Sequence, residues 1–430
     1  MDLVSNVSPQ RVWRPLRTFL ATESAGGIAL LAAAVVALVW ANSPWSTTYH
    51  DLWETKVAIR VGTHGLSLDL RHWVNEGFMT VFFLVVGLEI KREIVQGELR
   101  DIRQAALPIV AAVGGMIVPA ILYLSVTSGG PTGGWAVPMP TDIAMVLGAL
   151  ALVRTRVHPI LPLLMLALAI VDDIGSILVL AVGFGGELST RWLAFGGGAL
   201  AIAAVLRRFT IRATAVFVVC GIACWYGLYR AGIPPTLAGV AFGLLAPTTP
   251  MIDEVDQAEL ADLSTPSAAR RSVVIATHSV SAVERLELLL HPWTSFAIIP
   301  LFALANAGIA LGGDTLADTA GSRVFWGVMV GRVLGKPLGI VAAVIVAERL
   351  GLVRLPEGVT RRDVLGLGCL AGMGFAVAVF IAGKSFNGAA AGVHVDAAVI
   401  AVLASLIVSG GLGLAVLSPI CRRASASTNR

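Results

Sequence analysis

Asp172 and Asp173 stand side by side at the middle of LPLLMLALAIVDDIGSILVLAVGF, an apolar run from Leu161 to Phe184. Such a run is long enough to cross a bilayer as one helix. An ionised Asp at the centre of a membrane helix costs roughly 2.5–3.5 kcal/mol on the gentlest scale. An adjacent pair adds mutual repulsion. Something at membrane depth must stabilise it: a counter-charge, water, a metal ion or a proton. Those are the components of an ion pathway.

Three other features reach the same depth. Lys336 lies in GRVLGKPLG, at the centre of another apolar span. LAGMGF (Leu370 to Phe375) lies at the centre of the next. Pro138-Met139-Pro140-Thr141-Asp142 occupies the outer half of a fourth. Pro138 and Pro140 remove two backbone donors and disfavour helix before each ring, whereas Gly372 and Gly374 permit an interruption without forcing it. An extended stretch rises about 3.3 Å per residue, which carries Asp142 inward faster than a helix would. Open backbone at this depth is tolerated only where it lines a cavity or is buried in protein. Broken spans at matching positions of two halves point to a transporter built from inverted repeats.

The residue types set the chemistry. A hard cation such as Na⁺ or Li⁺ takes oxygen ligands, which Asp172, Asp173, the Thr141 hydroxyl and water supply. The same carboxylates bind protons, so proton and cation compete for one set of oxygens. Asp142 offsets the positive ends of two half-helices and Lys336 the negative ends. Neighbours on a helix point about 100° apart, so one Asp can face Lys336 and the other the ion. Plainer roles stand beside these: Thr141 bonding its own backbone, and Lys336 as a structural counter-charge that never titrates. Arg332, one turn before Lys336, is expected to snorkel or pair locally.

The elements that position these residues follow from composition. The chain of 430 residues is 56% hydrophobic and 13% charged, with a mean hydropathy of +0.82. That is the profile of an all-α polytopic membrane protein. Twelve spans are expected. Residues 1–24 form a cytoplasmic lead-in. Residues 25–104 hold spans 1 and 2 with an outer β-hairpin, an interface part. Residues 105–190 hold spans 3–5, a first core repeat. Residues 191–311 hold spans 6–9, with a long cytoplasmic loop at 248–285 that includes some amphipathic helix. Residues 323–418 hold spans 10–12, the second core repeat, and 419–430 form a cytoplasmic tail. The hairpin is read from KVAIRV and LSLDL flanking Gly62 to Gly65. Its free edges suit pairing with a second copy of the chain. Lys and Arg concentrate on one set of loops, which places both termini in the cytoplasm. They are spread over short loops, which sets nucleic acid aside as a partner. Cys220, Cys224, Cys369 and Cys421 read as small apolar fillers.

Several stretches together resemble the NhaA-type sodium/proton antiporter family: GLEIKRE (Gly87 to Glu93), PTDIA (Pro140 to Ala144), ALAIVDDIG (Ala167 to Gly175), TLAG (Thr236 to Gly239), HPW (His291 to Trp293), ANAG (Ala305 to Gly308), GKPLG (Gly335 to Gly339) and LPEG (Leu355 to Gly358). The resemblance implies twelve helices, a core of spans 3–5 and 10–12, crossed discontinuous spans 4 and 11, and a part that dimerises. It implies Na⁺ or Li⁺ at Asp173 and Asp172, Thr141 and Asp142 at the crossing, and Lys336 as partner of Asp172. It implies that more protons than cations move per cycle. It places the pH response on Glu89, Arg92 and Glu93, and on Glu287 and His291. Some members carry a His shortly before TLAG, where this chain has Pro234 and Pro235, and another where it has Leu288. Glu76 stands where an Asp is often found.

The expectation is an electrogenic, pH-regulated exchanger of cytoplasmic Na⁺ or Li⁺ for external H⁺. It would serve sodium and pH homeostasis in a bacterial inner membrane, as a homodimer. It is not an enzyme and needs no cofactor beyond the ions it carries. An intramembrane aspartyl protease could cast Asp142 and Asp173 as its dyad, but that class uses a GxGD loop, and here the Asp pair follows Ala169-Ile170-Val171. A lysine at the same depth also holds one carboxylate ionised, where a dyad must share a proton. A passive cation channel is set aside because nothing in the chain resembles a repeated filter motif.

Overall fold

The computed structural model describes residues 9–61, 64–153, 157–158, 160–183, 188–209, 214–248, 281–386, 388 and 390–418. Of the sequence expectations, the 1–8 end of the lead-in, most of the 248–285 loop, Cys421 and the 419–430 tail lie outside the described residues.

In chain order the helices are α1 (Pro9–Ala41), α2 (Ser46–Glu54), α3 (Leu70–His72), α4 (Met79–Val95), α5 (Ile102–Val126), α6 (Ile143–Val153), α7 (Leu161–Gly183), α8 (Thr190–Arg208) and α9 (Thr214–Ala231). They continue as α10 (Leu237–Leu245), α11 (Ala282–Trp293), α12 (Ile299–Asn306), α13 (Gly313–Gly321), α14 (Arg323–Val330), α15 (Lys336–Arg349), α16 (Arg361–Ala371), α17 (Ala376–Ser385) and α18 (Ala391–Leu417). Wider π turns join α3 to α4 (Trp73–Phe78), α11 to α12 (Thr294–Ile298) and α14 to α15 (Gly331–Gly335). Among the described residues five helices are long and apolar enough to cross a membrane, or up to seven if each bent pair is one span.

Two helices begin earlier than the residue pattern suggests. The first starts at Pro9 and runs unbroken to Ala41, so the lead-in joins the span. α11 starts at Ala282, inside the expected loop, because Ser281 and Glu284 close a reciprocal capping box. That box satisfies two backbone donors that would otherwise be orphaned.

The chain divides into two compact units. The first comprises Met1–Thr55, Ile102–Leu180 and Pro300–Arg430. Here α5 packs against α14 and α15, α16 against α15 and α18, and α1 against α6. The approach of α5 and α15 needs glycine on both sides. A Cβ on Gly114 would lie 2.3 Å from the Gly339 carbonyl oxygen, and one on Gly339 would lie 2.2 Å from that of Gly114. α1 turns into α2 at 114°. Asn42 holds the corner: its amide donates to Leu38 and Ile309 carbonyls, and its side-chain oxygen accepts from the Leu311 amide. Tyr49 on α2 donates to the Leu304 carbonyl and fills the space that a side chain at Gly308 would need. The ANAG stretch is therefore a docking point for α2.

The second unit comprises Lys56–Asp101 and Ala181–Ile299. Lys56–Val61 (β1) and His64–Asp69 (β2) form an antiparallel hairpin, in register from Lys56↔Asp69 to Val61↔His64. The second strand starts two residues earlier than the LSLDL reading. Trp73 ties the hairpin to the helix that follows, donating from its indole to the Val57 carbonyl at 3.1 Å. Trp73 stacks on Trp225, and Trp225 on Tyr229. α4 packs on α10 through Gly87, Gly239 and Gly243. Cys220, Cys224 and Cys369 are free and buried.

Candidate functional site

The candidate site lies in the first unit, where two helices lose their winding. The backbone between a 3₁₀ turn at Thr132–Ala136 and the start of α6 is non-helical as far as Asp142. The prolines at 138 and 140 account for this. The second break, Gly372 to Phe375, separates α16 from α17, which meet at 55°.

The two open stretches pair with each other. The Asp142 amide donates to the Met373 carbonyl at 3.0 Å. The Thr141 hydroxyl lies 2.9 Å from the Ala371 carbonyl oxygen. Asp142 Oδ1 accepts from the Met145 amide at 3.3 Å, capping the positive end of α6. Gly372 and Gly374 act differently from the sequence expectation. Neither has a positive φ, so conformational freedom is not what they supply. They supply room. A Cβ on Gly374 would lie 2.1 Å from an Arg332 guanidinium nitrogen and 2.5 Å from the Pro140 carbonyl oxygen. One on Gly372 would lie 2.5 Å from Ser409 Oγ.

Beside these two paired stretches, α7 presents its carboxylates. Asp172 is fully buried, and its Oδ2 receives the Lys336 ammonium in an ion pair whose side chains are both 0% exposed. Lys336 also donates to Thr141 Oγ at 3.0 Å. The Thr141 hydroxyl lies 2.5 Å from Asp172 Oδ2, so its single proton is shared between that carboxylate and Ala371. Thr141 bonds the site as well as neighbouring backbone, which departs from the plainer role of serving its own backbone alone. Asp172 Oδ1 is buried with no hydrogen-bond partner among the described residues. Ser176 Oγ, one turn further along α7, is in the same condition. Asp173 is 7% exposed. Unpaired buried oxygen is costly, and a proton, a cation or a water each relieves that cost.

The structure brings Asp172, Thr141 and Lys336 into one bonded triad, with Asp142 next to Thr141 and bonded through its amide to Met373. Asp173 lies beside Asp172 on α7, whereas the candidates for the pH response, Glu89, Arg92, Glu93, Glu287 and His291, belong to the second unit. Arg92 on α4 pairs with Glu287 on α11 and lies 3.6 Å from Glu93. Glu287 is buried, while Glu89 and His291 are half-buried.

Two residues were not singled out as part of the site. Arg332 was expected to snorkel or pair locally. It is instead 0% exposed and donates to the carbonyls of Gly372, Val137 and Pro140. Arg332 thus holds the Gly372 carbonyl at the end of α16. Ser176 was readable only as the residue four places after Asp172. The π turn at Gly331–Gly335 gave no signal in the hydrophobic pattern. It sits just before Lys336, as such turns often do at functional sites.

A helical membrane protein with a desolvated carboxylate–ammonium pair at the junction of two unwound stretches defines a class: a polytopic protein organised around a buried ionisable centre. The family is narrower. A model of the Na⁺/H⁺ antiporter 1 family matches residues 17–417, and the chain belongs to that family. It is 44% identical to a protein of Sorangium cellulosum named Na(+)/H(+) antiporter NhaA 2, over 96% of this chain and 92% of that one. It is 42% identical to the Na(+)/H(+) antiporter NhaA of Rhodopirellula baltica, over 89% of each. It is 41% identical to that of Escherichia coli O6:K15:H31, over 86% of this chain and 90% of the relative.

Proposed function

We propose that this chain exchanges Na⁺, and Li⁺ in its place, for H⁺ across a bacterial inner membrane by alternating access. The observation that carries the reading is Asp172: fully buried, bound to Lys336 through one oxygen, open at the other, with Asp173 beside it. The cation takes Asp173, Asp172 and the nearby hydroxyls of Thr141 and Ser176. Its arrival competes with Lys336 for Asp172 and with a proton for Asp173. Both carboxylates then face one metal ion, and protons leave from Asp173 and from the displaced Lys336. Reversal on the other side of the membrane completes the exchange. More than one proton moves per cation, so net charge crosses. Each such charge is worth about 2.3 kcal/mol per 100 mV of membrane potential.

The architecture that suits this cycle has twelve spans and two inverted repeats. Spans 4 and 11 are discontinuous and cross, and both termini lie in the cytoplasm. Glu89, Arg92, Glu93, Glu287 and His291 form the pH-responsive group. The chain works as a homodimer joined through the hairpin of β1 and β2, whose Val57 and Ile59 are exposed. Its role is sodium and pH homeostasis.

The test is purified protein in liposomes carrying a pH-sensitive dye. An imposed Na⁺ or Li⁺ gradient is expected to move protons in the opposite direction, faster when a potassium-diffusion potential pulls the net charge the same way. Proton movement no faster than in protein-free liposomes contradicts the exchange. A rate indifferent to the potential contradicts the charge movement alone.

A further inference from the structure

Arg332 is among the largest fully buried side chains of the protein. Its hydrogen-bond partners are three backbone carbonyls: Nε donates to Gly372 at 3.1 Å, Nη1 to Val137 at 3.3 Å and Nη2 to Pro140 at 3.1 Å. One guanidinium therefore closes both breaks at once, Val137 and Pro140 belonging to the first and Gly372 to the second. The fork of a guanidinium reaches three acceptors in a fixed plane, which an ammonium cannot do. The chain makes space for it by leaving position 374 without a side chain. Asp172 and Asp142 act on it electrostatically, and so does Lys336 in the opposite sense. Lys336 is committed elsewhere, to Asp172 and Thr141.

We propose that Arg332 is the fixed counter-charge of the two unwound stretches, and a positioning residue for transport. It holds the Pro140–Asp142 segment where the Thr141 hydroxyl meets Asp172. Lys336 is thereby relieved of that structural duty and can exchange its partner during the cycle. The transport part of this inference rests on the exchange reading above. The structural part stands alone.

A physical asymmetry makes the division testable. If Lys336 is removed, Asp172 can take up a proton and remain neutral beside Thr141. If Arg332 is removed, three buried carbonyls lose their donor and none can adapt. Thermal unfolding in detergent is compared for wild type, Arg332→Met and Lys336→Met, with Na⁺ dependence of exchange measured in liposomes for those that fold. Arg332→Met is expected to lower the midpoint by roughly 5–10 °C, and Lys336→Met by less than half of that. At temperatures where it remains folded, Arg332→Met is expected to raise the KM for Na⁺ about tenfold, because Thr141 is no longer held against Asp172. Arg332→Lys keeps the charge without the fork and recovers only part of the loss.

An unchanged midpoint for Arg332→Met, or a larger loss for Lys336→Met, overturns the assignment of the counter-charge. A lower midpoint with wild-type KM overturns the positioning role. Should Arg332→Met fail to fold, Arg332→Lys decides, since it keeps the charge and loses the fork: a raised KM supports the proposal and a wild-type KM overturns it. Absence of Na⁺-driven proton movement in the wild type would count against the exchange reading, while the order of midpoints still decides the place of Arg332.

Discussion

The Asp172–Lys336 pair of the first unit and the Arg92–Glu287 pair of the second are made of the same two charges in contact, held in different media. Both side chains of the first are 0% exposed. In the second, Arg92 is 29% exposed and Glu287 8%, and Glu93 shares the arginine at 3.6 Å. A buried pair survives only because each charge relieves the other's desolvation, so loss of one partner is felt strongly. A pair that reaches water is screened, and its removal typically costs well under a few kcal/mol. The difference teaches where this protein concentrates its chemistry and where it can only modulate. Charges at the broken helices are held by one another and by backbone. Those between α4 and α11 can respond to the solvent without dismantling a site.

The sharpest way to break this comparison is to neutralise each region in turn. Asp173→Asn is expected to abolish exchange, at least about a hundredfold, equivalent to ~2.7 kcal/mol of barrier, with the melting midpoint preserved. Exchange at the wild-type rate in that variant would remove the carboxylate pair from the cycle. Next in size is coupling within the buried pair. Lys336→Met is expected to cost about 1–3 kcal/mol, less than an unrelieved buried charge would, and Asp172→Asn added to it should cost little more. Purely additive losses in that double-variant cycle would mean that the two side chains do not act as a unit.

Arg92→Gln is expected to change the melting midpoint by no more than about 1 kcal/mol of stability would. Its maximal exchange rate should stay near wild type while the pH at half-maximal rate moves. A collapse of the maximal rate would place Arg92 in the transport machinery and erase the contrast between the regions.

The smallest effect concerns the hairpin. Partial burial pushes the Asp69 carboxyl up, but hydrogen bonds from the His72 amide and ring, with the charges of His72 and Arg71, outweigh it and hold the group below its ordinary range. Asp69 caps α3 at the foot of β2. A group depressed on folding contributes stability above its unfolded value and loses it as the pH falls. Amide protection in β1 and β2 should therefore weaken below about pH 4 in wild type, and show no such acid dependence in Asp69→Asn.

Much of the site was legible because polar residues in apolar runs are few and expensive. Asp172, Asp173 and Lys336 announced themselves in this way, and Pro138 and Pro140 marked a break that their chemistry forces. Alternating residues in KVAIRV gave the hairpin. Other features depend on tertiary placement. Nothing in GRVLGKPLG says that Arg332 turns inward onto three carbonyls, since the same residue one turn from Lys336 would suit a snorkelling side chain. Gly374 looked like a flexible point, because a sequence does not show what lies where its side chain would be. Ser281 and Glu284 carried a readable capping signature, hidden by the polar stretch before them. The lead-in carries no apolar run of its own, yet from Pro9 it continues the helix of the first span.

The central claim is that one buried set of acidic oxygens is shared, by turns, between protons and an alkali cation. It is tested most directly by adding Na⁺ to the purified protein in weakly buffered detergent solution and measuring the protons released. Release that saturates with Na⁺, and that disappears when Asp172→Asn and Asp173→Asn are combined, is the predicted result. Saturable Na⁺ binding without proton release, or release that persists in the double variant, would contradict it.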